Sequence, residues 1–285
     1  MARTGGLANP REETTLGGRE VSSLRMDETA MPPIRLAVKP LLIISILIVG
    51  LLASCERKGR SVSAMIDRTI PPGEPRAIAA AANVRPGLER DLTAVGLKFG
   101  DPVFIRAFKE ENQLELLVRN RATGKFDLFR TYPIAAASGT LGPKLVEGDG
   151  QVPEGFYFVP PAAMKPDSQF HLSFNIGYPN EYDRAHQRTG SVIMIHGNHV
   201  SIGCLAMTDE KIEEIYTLCA AALDGGQIYF RVHIFPFRMT AARMHDAAGS
   251  SNEVFWKNLK PGYDLFEKNQ VPPEVSVVDG CYQFE

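Results

Sequence analysis

The chain reads mostly as short apolar runs broken by polar or Gly- and Pro-containing stretches, with one segment that keeps a helical period. From residue 102 onward, runs rich in aromatic and β-branched side chains occur at 103–108, 114–118 and 126–132, with polar breaks at 110–113 and 122–125. Further strand-like runs follow at 155–159, 170–174 and 192–195. At 208–223 the period changes, and Ile212, Ile215, Tyr216, Cys219 and Leu223 fall on one face of a helix. Thr208 suits its N-cap, Asp209 and Glu210 favour the positive end of its dipole, and Gly225-Gly226 stop it. A strand at 227–235 comes next, then helical segments near 240–247 and 253–268 and an extended end at 275–278. Many short strands around one strong helix predict a mainly β (α+β) fold, a β-sandwich or half-open barrel rather than a doubly wound sheet.

The N-terminal pattern is different. An apolar run at 41–52, interrupted only by Ser45 and Gly50, follows Met31, Arg35 and Lys39 and ends in Leu52-Ala53-Ser54-Cys55. A basic start, a short apolar stretch and small residues before a cut site predict a secretory signal peptide. The run is too short to span a bilayer, which takes roughly 20 residues. Its ending resembles the bacterial lipobox, which implies that Cys55 is acylated and heads the mature protein, with Glu56 favouring the outer membrane. Residues 1–30 have no apolar periodicity, so translation is expected to start at Met31 or Met26. The stretch 56–82, with Arg57, Lys58, Arg60, Pro71, Pro72, Gly73, Pro75 and an Ala run, predicts a flexible tether. A short helix is expected at about 86–96, starting at Pro86. The chain thus divides into an extension and signal at 1–54, a tether at 55–84, a helical lead-in at 85–101, a β body at 102–236 and a C-terminal extension at 237–285.

Composition narrows the function classes. With 44% hydrophobic and 22% charged residues over 285, neither a wholly disordered chain nor a multi-span membrane protein fits. A net charge of −2 argues against nucleic-acid binding. Four cysteines are too few for a disulfide scaffold, and no Cys-x-x-Cys occurs to suggest disulfide exchange. His196 and His199 have no carboxylate neighbour at metal-ligand spacing, so neither metal nor cofactor is expected.

The candidate chemistry lies at 196–207, His-Gly-Asn-His-Val-Ser-Ile-Gly-Cys-Leu-Ala-Met. Cys204 follows a strand and loop and shortly precedes the helix, a setting expected to offer backbone N–H groups and to lower a thiol pKa. A histidine on the preceding strand can meet it as a general base. His196 and His199 are both available. Ser201 and Gly203 are expected to shape the turn, with the Gly203 and Cys204 amides as oxyanion donors.

These residues also resemble a known family. His196-Gly197, Ser201-x-Gly203-Cys204 and Met207 resemble the signature of the YkuD-type L,D-transpeptidases. Ser138-Gly139 and Gln151-Val152-Pro153-Glu154-Gly155-x-Tyr157 resemble the family's upstream segment. Within it, Gly142-Pro143-Lys144-Leu145, Phe174-Asn175-Ile176-Gly177-Tyr178-Pro179, 203–209 and 255–262 resemble the YafK (DpaA) subgroup. The resemblance implies a mostly β cell-wall enzyme with Cys204 as nucleophile and His196 as its base. A backbone carbonyl near Gly197 would be the third partner, and His171, Asn175 and Tyr178 would line the groove. It implies a thioester formed at the L-centre of meso-diaminopimelate in peptidoglycan stem peptides. The subgroup resembles enzymes that detach an outer-membrane lipoprotein from peptidoglycan, which favours cleavage over cross-linking. The alternatives are a transpeptidase forming 3-3 or lipoprotein links and a non-catalytic peptidoglycan-binding lipoprotein. Two positions depart from the wider pattern: Ile202 stands where a His is usual, and Ala206 where a basic or amide residue is. Cys219 is expected to be structural, and Cys281 is a conceivable disulfide partner for it.

Overall fold

The computed structural model describes residues 73–285. The signal segment at 1–54, its Cys55 and the stretch 56–72 lie outside the described residues. Two five-stranded sheets make the body. The first has the order β3-β2-β1-β10-β5, built from β1 (Val103–Phe108), β2 (Gln113–Arg119), β3 (Phe126–Pro133), β5 (Gly155–Val159) and β10 (Phe230–Phe235). Its neighbours are antiparallel except for β1 and β10, which run parallel, Ile105 opposite Val232. The second sheet has the order β4-β9-β8-β7-β6 and uses short strands: β4 (Ala136–Ala137), β6 (Met164–Lys165), β7 (Ser173–Asn175), β8 (Met194–His196) and β9 (Leu205–Ala206).

The main core forms where these sheets meet two helices. Ile105, Leu116, Tyr157 and Val232 of the first sheet pack in one cluster with Phe174, Ile195 and Leu205 of the second. Helix α1 (Glu74–Ala94) adds Ala80, Leu88 and Leu92, and helix α3 (Asp209–Asp224) adds Ile212, Ile215, Cys219 and Ala222. The other face of β10 and β5 is covered too. Phe108, Phe156, Phe235 and Phe237 pack there against Phe255, Trp256, Leu259 and Tyr263 of helix α5 (Glu253–Asn269) and Tyr282 of the C-terminal hairpin. Burial on both faces explains why every residue of β1 is buried, and Arg106 is tolerated within it because its charge is met. Its guanidinium is paired with Glu115 at 2.6 Å and Glu267 at 2.5 Å. Two short helices, α2 (Glu181–Ala185) and α4 (Ala241–Asp246), complete the body.

The mixed α+β architecture agrees with the expected class, but two elements differ from expectation. The first helix begins at Glu74, not near 86, so residues 74–84 of the expected tether are helical. Pro75 occupies the first turn, where a missing N–H costs nothing. The following alanines are strong helix formers rather than linker residues. Pro86 lies inside the helix, where proline costs about 3 kcal/mol; burial of Ala80, Leu88 and Leu92 offsets that cost. Arg76 reaches from this helix to the carbonyls of Ser168 at 3.3 Å and His171 at 3.1 Å. A fragment starting at 85 loses these bonds and half the helix. With a buried charged hydrogen bond contributing about 1.5–3 kcal/mol, it is expected to melt roughly 3–12 °C below one starting at 73, as calorimetry would show.

The second difference is at the end of the chain, where β11 (Val275–Val278) pairs with a strand not foreseen, β12 (Cys281–Phe284). Asp279 and Gly280 between them have φ of 50° and 73°, the left-handed pair that closes a two-residue hairpin. Cys281 is exposed on this hairpin while Cys219 is buried in the main core, and both are free thiols.

Candidate active site

The centre of the second sheet aligns the proposed chemistry. In register, Phe174, Ile195 and Leu205 stand opposite one another and point into the core. Side chains alternate along a strand, so Ser173, Asn175, Met194, His196 and Ala206 share the other face. Cys204, the residue before β9, falls on that face beside Met194, and its Sγ lies 3.4 Å from the Met194 amide and 4.0 Å from the Val192 carbonyl. His196 and Cys204 are thus diagonal neighbours on one face of adjacent parallel strands.

The loop joining the two strands is held tightly. At Gly197 a Cβ would come within 2.6 Å of Asp209 Oδ1 and 2.8 Å of the Phe170 carbonyl, so only glycine fits. The Asn198 amide donates to Asp209 Oδ1 at 2.7 Å, tying the loop to the start of α3. Ser201 Oγ donates to the Cys204 carbonyl at 2.6 Å and accepts from the Cys204 amide at 3.0 Å. Gly203, at φ 92°, donates its amide to Ser138 Oγ at 2.6 Å. Ser138 Oγ in turn donates to the Gly150 carbonyl at 2.7 Å. The two amides expected to serve as oxyanion donors therefore both have acceptors within the free protein. Ser138 was visible in the sequence only as part of a motif, and its Ser-Gly pairing was the available signal.

His196 is buried, and its Nδ1 lies 2.6 Å from the Gly197 carbonyl oxygen. A carbonyl only accepts, so Nδ1 carries the proton and Nε2 of the neutral ring keeps its lone pair. The Phe170 ring packs 4.8 Å from the imidazole. Burial lowers the His196 pKa below its ordinary 6.5, and the bond to Gly197 opposes that shift. Burial raises the Cys204 thiol above its ordinary 9.0, against the opposing pull of the Met194 amide and the Lys144 charge. The direction is opposite to the sequence expectation. The reason is local: β9 and Met207-Thr208 separate the cysteine from the first turn of α3, so the thiol does not sit at the helix terminus.

The remaining candidates separate clearly. His199 is exposed, and its amide is taken by its own neighbour Asn198 Oδ1 at 2.6 Å. Two expected groove residues are interior instead. His171 is buried, with Nε2 2.8 Å from Glu213 Oε1 on α3. Tyr178 is buried, with its hydroxyl 3.2 Å from the Lys144 carbonyl and 3.3 Å from the Thr189 carbonyl. Their polar ends are occupied in stitching loops together, which the sequence could not show because the partners are distant along the chain. Asn175 does line a cavity, of about 520 Å³, which also presents Lys165, Arg184 and Glu181.

Residues 102–234 match the family model described as the YkuD L,D-transpeptidase catalytic domain. Over 183 residues the chain is 49% identical to YafK of Escherichia coli K12, which carries an L,D-transpeptidase name, covering 64% of this chain and 74% of that protein. The same figures hold for YafK of Escherichia coli O157:H7. Among solved structures, a point mutant of the helical cell shape determining protein Pgp2 from Campylobacter jejuni aligns at 19% identity and a TM-score of 0.40, over 64% of this chain and 65% of that one. By its domain match and its identity to YafK, the chain is a member of the YkuD family of L,D-transpeptidases, enzymes that act on peptidoglycan in the cell envelope.

Proposed function

We propose that Cys204 and His196 form the nucleophile–base pair of an enzyme that opens an amide at the L-centre of meso-diaminopimelate in a peptidoglycan stem peptide. The observation that carries this reading is the 2.6 Å contact from His196 Nδ1 to the Gly197 carbonyl, which leaves Nε2 as acceptor on the face that holds the thiol. In the first step Nε2 takes the thiol proton while Sγ bonds to the substrate carbonyl carbon. The Gly197 carbonyl steadies the imidazolium so formed. The same proton then passes to the leaving amine, the C–N bond breaks, and a thioester remains. Attack by water releases the acid and regenerates the thiol. Attack by an amine would instead make a cross-link. The Gly203 and Cys204 amides serve the developing oxyanion as donors, sharing with it the bonds they make to Ser138 and Ser201.

The motif resemblance to the YafK (DpaA) subgroup favours cleavage, with a stem peptide joined to an envelope lipoprotein as substrate, while the transpeptidase name carried by YafK keeps transfer as the second reading. The lipobox-like ending at Cys55 supports a lipid anchor on the periplasmic side, probed by mass spectrometry of the mature N-terminus. Digestion of sacculi with the protein separates the enzymatic readings: released peptides mark hydrolysis and new diaminopimelate–diaminopimelate links mark transfer. A binding protein without catalysis would give neither, and its thiol would not be acylated by a carbapenem.

The pH profile tests the protonation states. A neutral imidazole lowered below 6.5 and a thiol raised above 9.0 make a neutral resting pair. Activity is then expected to rise through an acid limb below pH 6.5 as His196 loses its proton, hold a plateau, and fall above pH 9 as the thiol ionises and the proton for the leaving amine is lost. A preformed thiolate–imidazolium pair, with a thiol pKa of about 3–4, would move the acid limb to near pH 4. Such a limb in kcat/KM would refute the neutral pair.

A further inference from the structure

The nucleophile's turn is braced from an unexpected direction. Glu154 is fully buried at the end of the segment that follows β4. Its Oε1 accepts from the Gly142 amide at 2.6 Å and from Lys109 Nζ at 3.0 Å, and its Oε2 accepts from Trp256 Nε1 at 2.8 Å. Lys109 Nζ donates as well to the Gly142 carbonyl at 2.7 Å and the Val152 carbonyl at 2.9 Å, so all three of its protons are used. One ammonium–carboxylate pair therefore closes both ends of the loop 142–152.

That loop is the backing of the turn that carries Cys204. Its Gly150 carbonyl holds Ser138 Oγ, which holds the Gly203 amide. The Gln151 carbonyl would lie 3.3 Å from a Cβ at Gly203, so loop and turn are in contact with no space between them. Trp256 lies on α5, beyond the residues 102–234 that match the catalytic domain. Asn252 of the same extension donates to the Leu141 carbonyl at 3.3 Å.

We propose that Lys109, Glu154 and Trp256 are positioning residues for Cys204, acting through loop 142–152 and Ser138, and that the C-terminal extension is through them a working part of the active site. Stability alone does not account for the arrangement. Desolvating two ions is costly, and apolar side chains of the same volume often replace such a pair without loss. What apolar side chains cannot do is hold the Gly142 and Val152 backbone groups in one geometry. This inference rests on Cys204 being the nucleophile.

Two variants test it, read by kcat, KM, the alkylation rate of Cys204 in a Cys281→Ser background, and melting temperature. The double variant Lys109→Met with Glu154→Leu leaves the Gly142 amide, the Val152 carbonyl and Trp256 Nε1 without these partners, so it is expected to melt below wild type but still fold, while kcat and the alkylation rate each fall about tenfold and KM stays within about twofold. A well-folded double variant with wild-type kcat would overturn the proposal. Where the double variant does not fold, Trp256→Phe decides. It keeps a ring against Phe237, 5.2 Å away in the native protein, and removes the N–H donor to Glu154 together with part of the indole's volume. A several-fold loss of kcat at unchanged KM supports the positioning role, and an unchanged kcat overturns it. Failure of the underlying assignment would appear elsewhere, as activity retained by Cys204→Ser.

Discussion

Cys204→Ser is expected to lose turnover entirely, to below about a few per cent of wild type, while its melting temperature stays within about 2–4 °C. The thiol makes only two weak contacts, with the Met194 amide and the Val192 carbonyl, and a serine hydroxyl can keep the first. The fold therefore has little to lose. The chemistry has much to lose, because a thiol yields its proton to a neighbouring imidazole far more readily than a hydroxyl does and its sulfur is intrinsically nucleophilic, whereas a serine needs an activated alkoxide. Among the described residues the His196 imidazole has the Gly197 carbonyl behind it rather than a carboxylate that would raise its basicity. It is poorly equipped to ionise a hydroxyl. Product release from sacculi by the serine variant above a few per cent would sink the assignment of Cys204.

His196→Ala is expected to cost about 10²–10⁴-fold in the acylation step. Both proton transfers of the proposed cycle pass through Nε2, to the ring from the thiol and from the ring to the leaving amine. The thiol pKa is raised by burial, so without a base little thiolate forms at pH 7. The same variant should recover part of its acylation rate above pH 9, where solvent ionises the thiol. His199→Ala is expected to stay within about threefold of wild type, since that side chain is exposed on the loop. Single-turnover acylation ranks the two, and the reverse order would move the base to His199.

The parts of this site that could be read from the sequence are those set within a few residues of one another. The His196-Gly197 pair and the Ser201-to-Cys204 turn are local, and their bonds close between near neighbours. The strong helix was legible because its apolar period is continuous from Ile212 to Leu223. What escaped was set by partners far along the chain. His171 resembles a groove residue until Glu213, brought from α3, takes its ring. Ser138 resembles a loop residue until Gly203 donates to it. The prolines before residue 76 suggested a tether, yet burial of Ala80 and Leu88 against the core outweighs that local preference. The direction of the thiol's pKa failed for a related reason, since desolvation depends on what the whole fold places around the sulfur.

The aromatic layer behind β5 and β10 bears on where this protein can be divided. The family match ends at residue 234, and a fragment cut there would seem to contain the whole catalytic domain. Phe104, Phe108 and Phe156, however, are buried by side chains that come after the cut, among them Phe266, Tyr263 and Tyr282. Each large side chain returned to water forfeits about 1.5–3 kcal/mol, and three of them approach the whole net stability of a typical domain, about 5–15 kcal/mol. The excised piece would present an oily flank on the sheet that supports its active site and would self-associate rather than stay monomeric. The recurring family unit and the autonomous folding unit are therefore different lengths of this chain, and the second runs on to the last strand.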